Sequence, residues 1–144
     1  MKPAEPILFW GADRLGNFYP SPIEIGGRTY GTVEHYYQAQ KFADDPKLYD
    51  EIASAPDPKT AKRIAIAHAA EARADWNDVK ERVMHEACTA KFRQHADLRE
   101  YLLSTEYREL IEDSPTDAYW GIADGKGKNR LGEILMRIRT ELRK

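Results

Sequence analysis

The chain has 144 residues, a net charge of −2 at pH 7, 42% hydrophobic and 32% charged side chains, and a single cysteine. That length predicts one domain over residues 1–144 with a core that needs neither disulfides nor a structural metal, and one cysteine excludes a disulfide framework within the chain. Weak acidity argues against a surface that grips many nucleic-acid phosphates and leaves room for a small phosphorylated ligand.

The opening MKPAEPILFW carries no basic segment ahead of a long apolar run, and no stretch reaches the length of a membrane span. A soluble, cytoplasmic protein without a membrane partner is expected, with residues 1–6 disordered. In chain order, PILFW and IEIGGRTYG read as extended structure, with Gly26-Gly27 as the turn of a short hairpin. Thr32 is the expected N-cap of a helix running to about Phe42, and Asp57-Pro58 starts a second that includes TAKRIAIAHAA. A longer helix spans about Asn77 to Gln94, with Val79, Val83, Ala87 and Ala90 at helical spacing. LREYLLST and EYRELIED read as short helices, and the segment from Ser114 to Asn129 as an ordered loop or short strand. Asn129 then caps a last helix whose Leu131, Ile134, Leu135, Ile138 and Leu142 form a core-facing stripe. The expected class is α+β, a mostly helical single domain with a small N-terminal β element.

Two polar clusters stand out. In TVEHYYQAQKF, Glu34, Gln38 and Lys41 fall at i, i+4 and i+7, so a carboxylate, an amide and an ammonium share one helix face. A solvated face with a weak polar network accounts for that spacing too, although exposed faces favour Glu, Lys, Arg and Ala over the His, Tyr and Gln found here. In DAYWGIADGKGKNRLG, Gly125 and Gly127 imply a turn whose backbone N–H groups face an anion, flanked by Lys126 and Lys128 and followed by a helix start. A surface loop explains that pattern equally well. Asp117 is open to a role as turn former and Trp120 to one as core plug; with Trp76 the latter could instead wall a planar base. Cys88 reads as a buried structural thiol, and His35, His68, His85 and His95 share no metal-ligand spacing. Chemistry without metal or cofactor is expected.

With both clusters in view, the chain resembles the NADAR family and its YbiA-like members. The matching stretches are LGNFYPSPI (15–23), TVEHYYQAQKF (32–42), DWNDVKERVMHEACTAKFRQ (75–94) and DAYWGIADGKGKNRLGEILMRIR (117–139). The resemblance implies a NADAR fold and an N-glycosidase that cleaves a ribose C1–N bond to an amino-substituted base. YbiA-like members act on phosphoribosylamino intermediates of riboflavin biosynthesis, and other NADAR members remove ADP-ribose from guanine in nucleic acid. It further implies functional roles for Glu34, Lys41, Trp76, Asp117 and Trp120, each at its motif position. Asn17, Tyr37, Gln38, Gly121, Lys126, Gly127 and Asn129 complete the expected substrate-binding set. Relatives often carry a glycine-rich turn where this chain has Ile122, Ala123 and Asp124.

Breaking a ribose–nitrogen bond builds positive charge on the sugar and electron density on the departing base. Glu34 is the expected stabiliser of that cation or activator of water, and Asp117 the group that orients sugar hydroxyls or protonates the leaving nitrogen. Lys41 opens a second route, a Schiff base with the ring-opened sugar. The expected partner is a phosphorylated ribosyl or ADP-ribosyl substrate, free or on ADP-ribosylated DNA or RNA. A non-catalytic module that holds ADP-ribose or a related nucleotide is the competing class, and Glu34 discriminates, because a carboxylate beside an anionic ligand costs a binder affinity.

Overall fold

Capping residues set the starts of the first three helices. Thr32 caps α1 (Val33–Gln40), its Oγ1 accepting from the His35 N–H at 3.2 Å. Asp45 caps α2 (Pro46–Ala53) through the Leu48 N–H at 3.2 Å, and Asp57 caps α3 (Pro58–Ala67) through the Thr60 N–H at 2.7 Å. Both aspartates precede a proline in the first turn, where the missing N–H has no helical partner to lose. The helix α2 is absent from the sequence reading, although Asp45-Pro46 repeats the signal of Asp57-Pro58.

The computed structural model describes residues 4–144, in two compact units: residues up to Tyr19 together with His95–Lys144, and Pro20–Gln94. Of the terminal segment expected to be disordered, residues 1–3 lie outside the described residues; the Glu5 carbonyl accepts from Arg108 Nε at 2.6 Å.

The Pro20–Gln94 unit opens with an antiparallel hairpin formed by the second and third strands of the chain. With β1 at Ile7–Phe9, these are β2 (Ile23–Ile25) and β3 (Arg28–Tyr30), paired Ile25 to Arg28 around Gly26-Gly27. Both glycines have positive φ, +61° and +83°, the requirement of a two-residue hairpin turn that follows the strand twist. The three capped helices follow, then a 3-10 turn at Ala69–Glu71 and α4 (Trp76–Gln94). α1 packs against α2, α3 and α4, which buries Val33 through Ala39 without a break. Val33, Ala39, Phe42, Ile52, Ala61, Ala87 and Phe92 fill the core of this unit. Each large apolar side chain there contributes roughly 1.5–3 kcal/mol by leaving water.

In the other unit β1 runs parallel to β4 (Leu110–Glu112), with Ile7 opposite Leu110 and Phe9 opposite Glu112. This corrects the helix expected over EYRELIED, and it gives the β element a strand from the C-terminal third. α5 (Ala96–Ser104) and α6 (Arg130–Leu142) complete the unit, with α6 packed on β4 and α5 against α6. Leu131, Ile134, Leu135 and Ile138 of the expected stripe are buried. The chain is therefore α+β and mostly helical. Among the described residues no helix is long and apolar enough to cross a membrane.

Candidate active site

Burial of α1 on every side forces each of its polar side chains to find a partner. His35 faces the scaffold: Nδ1 lies 2.8 Å from Thr32 Oγ1 and Nε2 lies 2.9 Å from the Ala55 carbonyl, which accepts from it. Tyr36 donates its hydroxyl to Glu86 Oε1 at 2.5 Å, and Gln40 Nε2 donates to the Tyr49 hydroxyl at 2.6 Å. Those three residues brace neighbouring helices. Glu34 and Gln38 form a pair of their own, with Gln38 Nε2 donating to Glu34 Oε2 at 2.7 Å and the two residues only 6% and 4% exposed.

Lys41 follows at the C-cap of α1, where φ −60° and ψ −23° continue the helical path. Its Nζ lies 5.5 Å from the centre of the Tyr37 ring and 5.8 Å from that of Trp76, and the two rings meet edge to face at 5.1 Å. The lysine thus sits against two aromatic walls, one from α1 and one from the first residue of α4. Burial lowers its pKa from the ordinary lysine value; the Glu34 charge opposes that shift, while Lys62 and Lys80 add to it by like-charge repulsion. Lys80 lies one helical turn beyond Trp76, on the same side of α4. Burial and the two lysines thus make the Lys41 ammonium easier to deprotonate than an ordinary lysine, with a buried carboxylate acting in the opposite sense.

The segment following β4 is a loop folded back on itself. Ser114 Oγ accepts from the N–H groups of Thr116 and Asp117 at 3.3 and 3.0 Å, and Asp117 Oδ1 accepts from those of Tyr119 and Trp120 at 2.9 and 2.8 Å. Trp120 is buried and meets Tyr119 edge to face at 4.8 Å. On the returning arm of the loop, the Gly127 N–H donates to the Ile122 carbonyl at 2.6 Å, that of Lys128 to Ala118 at 2.9 Å and that of Asn129 to Gly121 at 3.0 Å. Arg130 and Leu131 likewise donate to Tyr119 and Trp120. The N–H groups of Gly127 and Lys128, part of the turn expected to face an anion, are therefore engaged inside the loop. A side chain at Gly127 would place Cβ 2.2 Å from the Gly121 carbonyl oxygen, so glycine is required there for close packing of the two arms.

A family model described as NADAR domain matches residues 8–143. The chain belongs to the NADAR family. Its relatives include N-glycosidase YbiA of Escherichia coli strain K12, 47% identical over 129 residues that span 89% of this chain and 80% of that one. N-glycosidase Npun_R5314 of Nostoc punctiforme is 44% identical over 132 residues, 90% and 85% of the two chains. The chloroplastic riboflavin biosynthesis protein PYRR of Zea mays is 39% identical over an aligned 143 residues, 89% of this chain but 23% of that longer one. The NMR structure of E. coli YbiA matches with a TM-score of 0.88 at 43% identity, over 96% of this chain and 85% of that chain.

Of the residues expected to form the NADAR site, Glu34, Tyr37, Gln38, Lys41 and Trp76 come together in the Pro20–Gln94 unit. Asn17, Asp117, Trp120, Gly121, Lys126, Gly127 and Asn129 belong to the other unit. There Asn17 is buried and Lys126 exposed. Asn129 stands at the N-cap position of α6 at φ +53° but makes no side-chain cap bond, its amide being engaged by β4. Oδ1 accepts from the Glu112 N–H and Nδ2 donates to the Leu110 carbonyl, both at 2.9 Å. Lys62 and Lys80 were not anticipated. Lys80 was findable from its i, i+4 relation to Trp76; Lys62 comes from α3, which no local pattern links to Lys41. Among the described residues no group of three or more His, Cys, Asp or Glu side chains is placed to hold a metal ion.

Proposed function

We propose that this NADAR protein is an N-glycosidase that hydrolyses the ribose C1–N bond of a 5-phosphoribosylamino pyrimidine, an early intermediate of riboflavin biosynthesis. The observation that carries the reading is the buried Glu34–Gln38 pair beside Lys41, whose ammonium is disfavoured by burial and by two neighbouring lysines. A buried carboxylate next to an anionic ligand weakens binding, whereas cleavage needs negative charge against a developing oxocarbenium or iminium ion. The relatives named as N-glycosidases and as riboflavin biosynthesis proteins support this substrate class. The net charge of −2 favours it over guanine ADP-ribosylated in DNA or RNA, whose phosphates the protein would have to approach.

In the mechanism we infer, the glycosylamine opens to the imine of the acyclic sugar, and Lys41 Nζ, its proton passed to Glu34, adds to C1. The C1–N bond to the base then breaks, the base leaves as the free amine with a proton relayed by Glu34, and Lys41 is left as a Schiff base with the sugar. Water adds to C1 and expels Nζ, which releases the sugar aldehyde and restores the amine. Tyr37 and Trp76 exclude water from Nζ before the exchange, and their π faces stabilise the cationic iminium. Gln38 holds the Glu34 carboxylate in place.

The test incubates the protein and its Glu34→Gln variant with the phosphoribosylamino pyrimidine and, in parallel, with a guanine-ADP-ribosylated oligonucleotide. The released sugar phosphate or ADP-ribose is followed by mass spectrometry. Turnover of the pyrimidine, lost in the variant, together with a borohydride-trapped sugar adduct on Lys41, is the expected result. Turnover of the oligonucleotide alone would reassign the substrate, and binding of ADP-ribose without turnover of either would make the protein a binding module.

A further inference from the structure

The Gln38 amide has only one chemically sensible orientation. An ionised carboxylate accepts hydrogen bonds and cannot donate, so the group 2.7 Å from Glu34 Oε2 is the amide nitrogen, and the oxygen points away from Glu34. That oxygen, Oε1, is buried and has no hydrogen-bond partner among the described residues. A buried acceptor left without a donor costs roughly 1–3 kcal/mol, and native structures rarely keep one without a use for it. The other buried polar side chains of α1 are engaged, His35 at both ring nitrogens. Gln38 is also one turn from Glu34 and three residues from Lys41, the two groups assigned to C1 of the sugar.

We propose that Gln38 is a specificity-determining residue whose Oε1 accepts a hydrogen bond from the substrate beside its anomeric carbon, while its Nε2 fixes the Glu34 carboxylate. This rests on the N-glycosidase reading above and adds a requirement that reading does not contain: a substrate donor at one defined place. An amide oxygen can only accept, so the substrate must bring an O–H or an N–H. Two groups adjacent to C1 qualify, the sugar 2-hydroxyl and the N–H of the glycosylated amine. A pocket that hydrogen-bonds a substrate group rejects the analogue lacking it far more strongly than an apolar pocket rejects a missing methylene, because its own buried group is then left unpaired.

The experiment measures kcat/KM for wild type, Gln38→Met and Gln38→Glu on three ligands: the 5-phosphoribosylamino pyrimidine, its 2-deoxyribosyl counterpart, and its counterpart methylated on the glycosidic nitrogen. Wild type should lose about tenfold or more on the one analogue that lacks the donor. Gln38→Met should lose a similar factor on the parent substrate and no longer distinguish that analogue from it, and which analogue shows the convergence names the donor. Gln38→Glu keeps an acceptor but sets a second carboxylate against Glu34, so the acidic limb of its pH–rate profile should move to higher pH. Gln38→Met losing the same factor on all three ligands, or losing nothing, would overturn the proposal. So would an unmoved acidic limb in a folded Gln38→Glu variant. If wild type turns over none of the ligands, the glycosidase reading fails by itself, and the same convergence is then sought in their dissociation constants.

Discussion

Lys91 lies in α4 with 1% of its surface exposed, its Nζ 5.1 Å from the centre of the Phe92 ring and Cys88 one turn earlier. Burial pushes its pKa down from 10.5 to about 8, with Cys88 acting weakly in the other direction. The sign of the linkage follows from proton counts. Below about pH 8 the lysine is charged in both states, and the folded state bears the full cost of a buried ammonium. Between about 8 and 10.5 the folded protein gives up a proton that the unfolded chain keeps, so this group's contribution to stability rises with pH. A shift of that size corresponds to about 3 kcal/mol. Replacing Lys91 by Met removes the dependence, whatever it does to packing, so the stability difference between wild type and Lys91→Met should change by about 3 kcal/mol from pH 7 to pH 10.5. Urea unfolding followed by tryptophan fluorescence at several pH values measures it. Burial and hydrogen bonding raise the pKa of Tyr30 and Tyr36 as well, so stability should fall again above about pH 10. That fall is common to both proteins and cancels in the difference. A pH-independent difference would refute the buried-ammonium account of Lys91.

Removing Lys62 and Lys80 together by alanine substitution takes two positive charges from around Lys41, whose pKa should climb back toward the ordinary lysine value. Borohydride trapping at pH 7 should then slow, and its pH dependence move to higher pH; an unchanged profile would mean that neither lysine tunes the amine. Asp117→Asn keeps the Oδ1 that accepts from Tyr119 and Trp120, so stability should stay within about 0.5 kcal/mol of wild type, and turnover of the variant then reads the loss of charge alone. Unchanged turnover would reduce Asp117 to a turn former. Ala123 sits at φ +40°, where a side chain is strained, so Ala123→Gly should stabilise by about 0.5–1 kcal/mol in urea melts, the relief of strain outweighing the added freedom of the unfolded chain. Thr32→Ala removes the cap of α1 and the hydroxyl that meets His35 Nδ1, and should cost about 1–2 kcal/mol in the same assay.

What the sequence made legible was what neighbouring residues decide. Thr32 and Asp57 start their helices because a side-chain oxygen three residues ahead of a backbone N–H is a local event, and Gly26-Gly27 turn the hairpin for the same kind of reason. The i, i+4 spacing likewise placed Gln38 against Glu34. β4 escaped because EYRELIED has an acceptable helical pattern, and what makes its centre a strand is β1, roughly a hundred residues earlier. The loop after β4 escaped for a related reason. Glycines and lysines in a row look the same whether the amides of residues 127–129 face a phosphate or the carbonyls of residues 118–122, and only the folded chain distinguishes the two. Ala123 and Asp124 are informative here. At φ +40° and +57° they occupy the left-handed region that glycine enters without strain. The N–H groups of residues 126–131 are spent on the carbonyls of residues 118–123, which fixes the two arms of the loop around Trp120 and Gly121. At Lys41, by contrast, burial and the charges of Lys62 and Lys80 lower the pKa of one nitrogen against the opposing charge of Glu34.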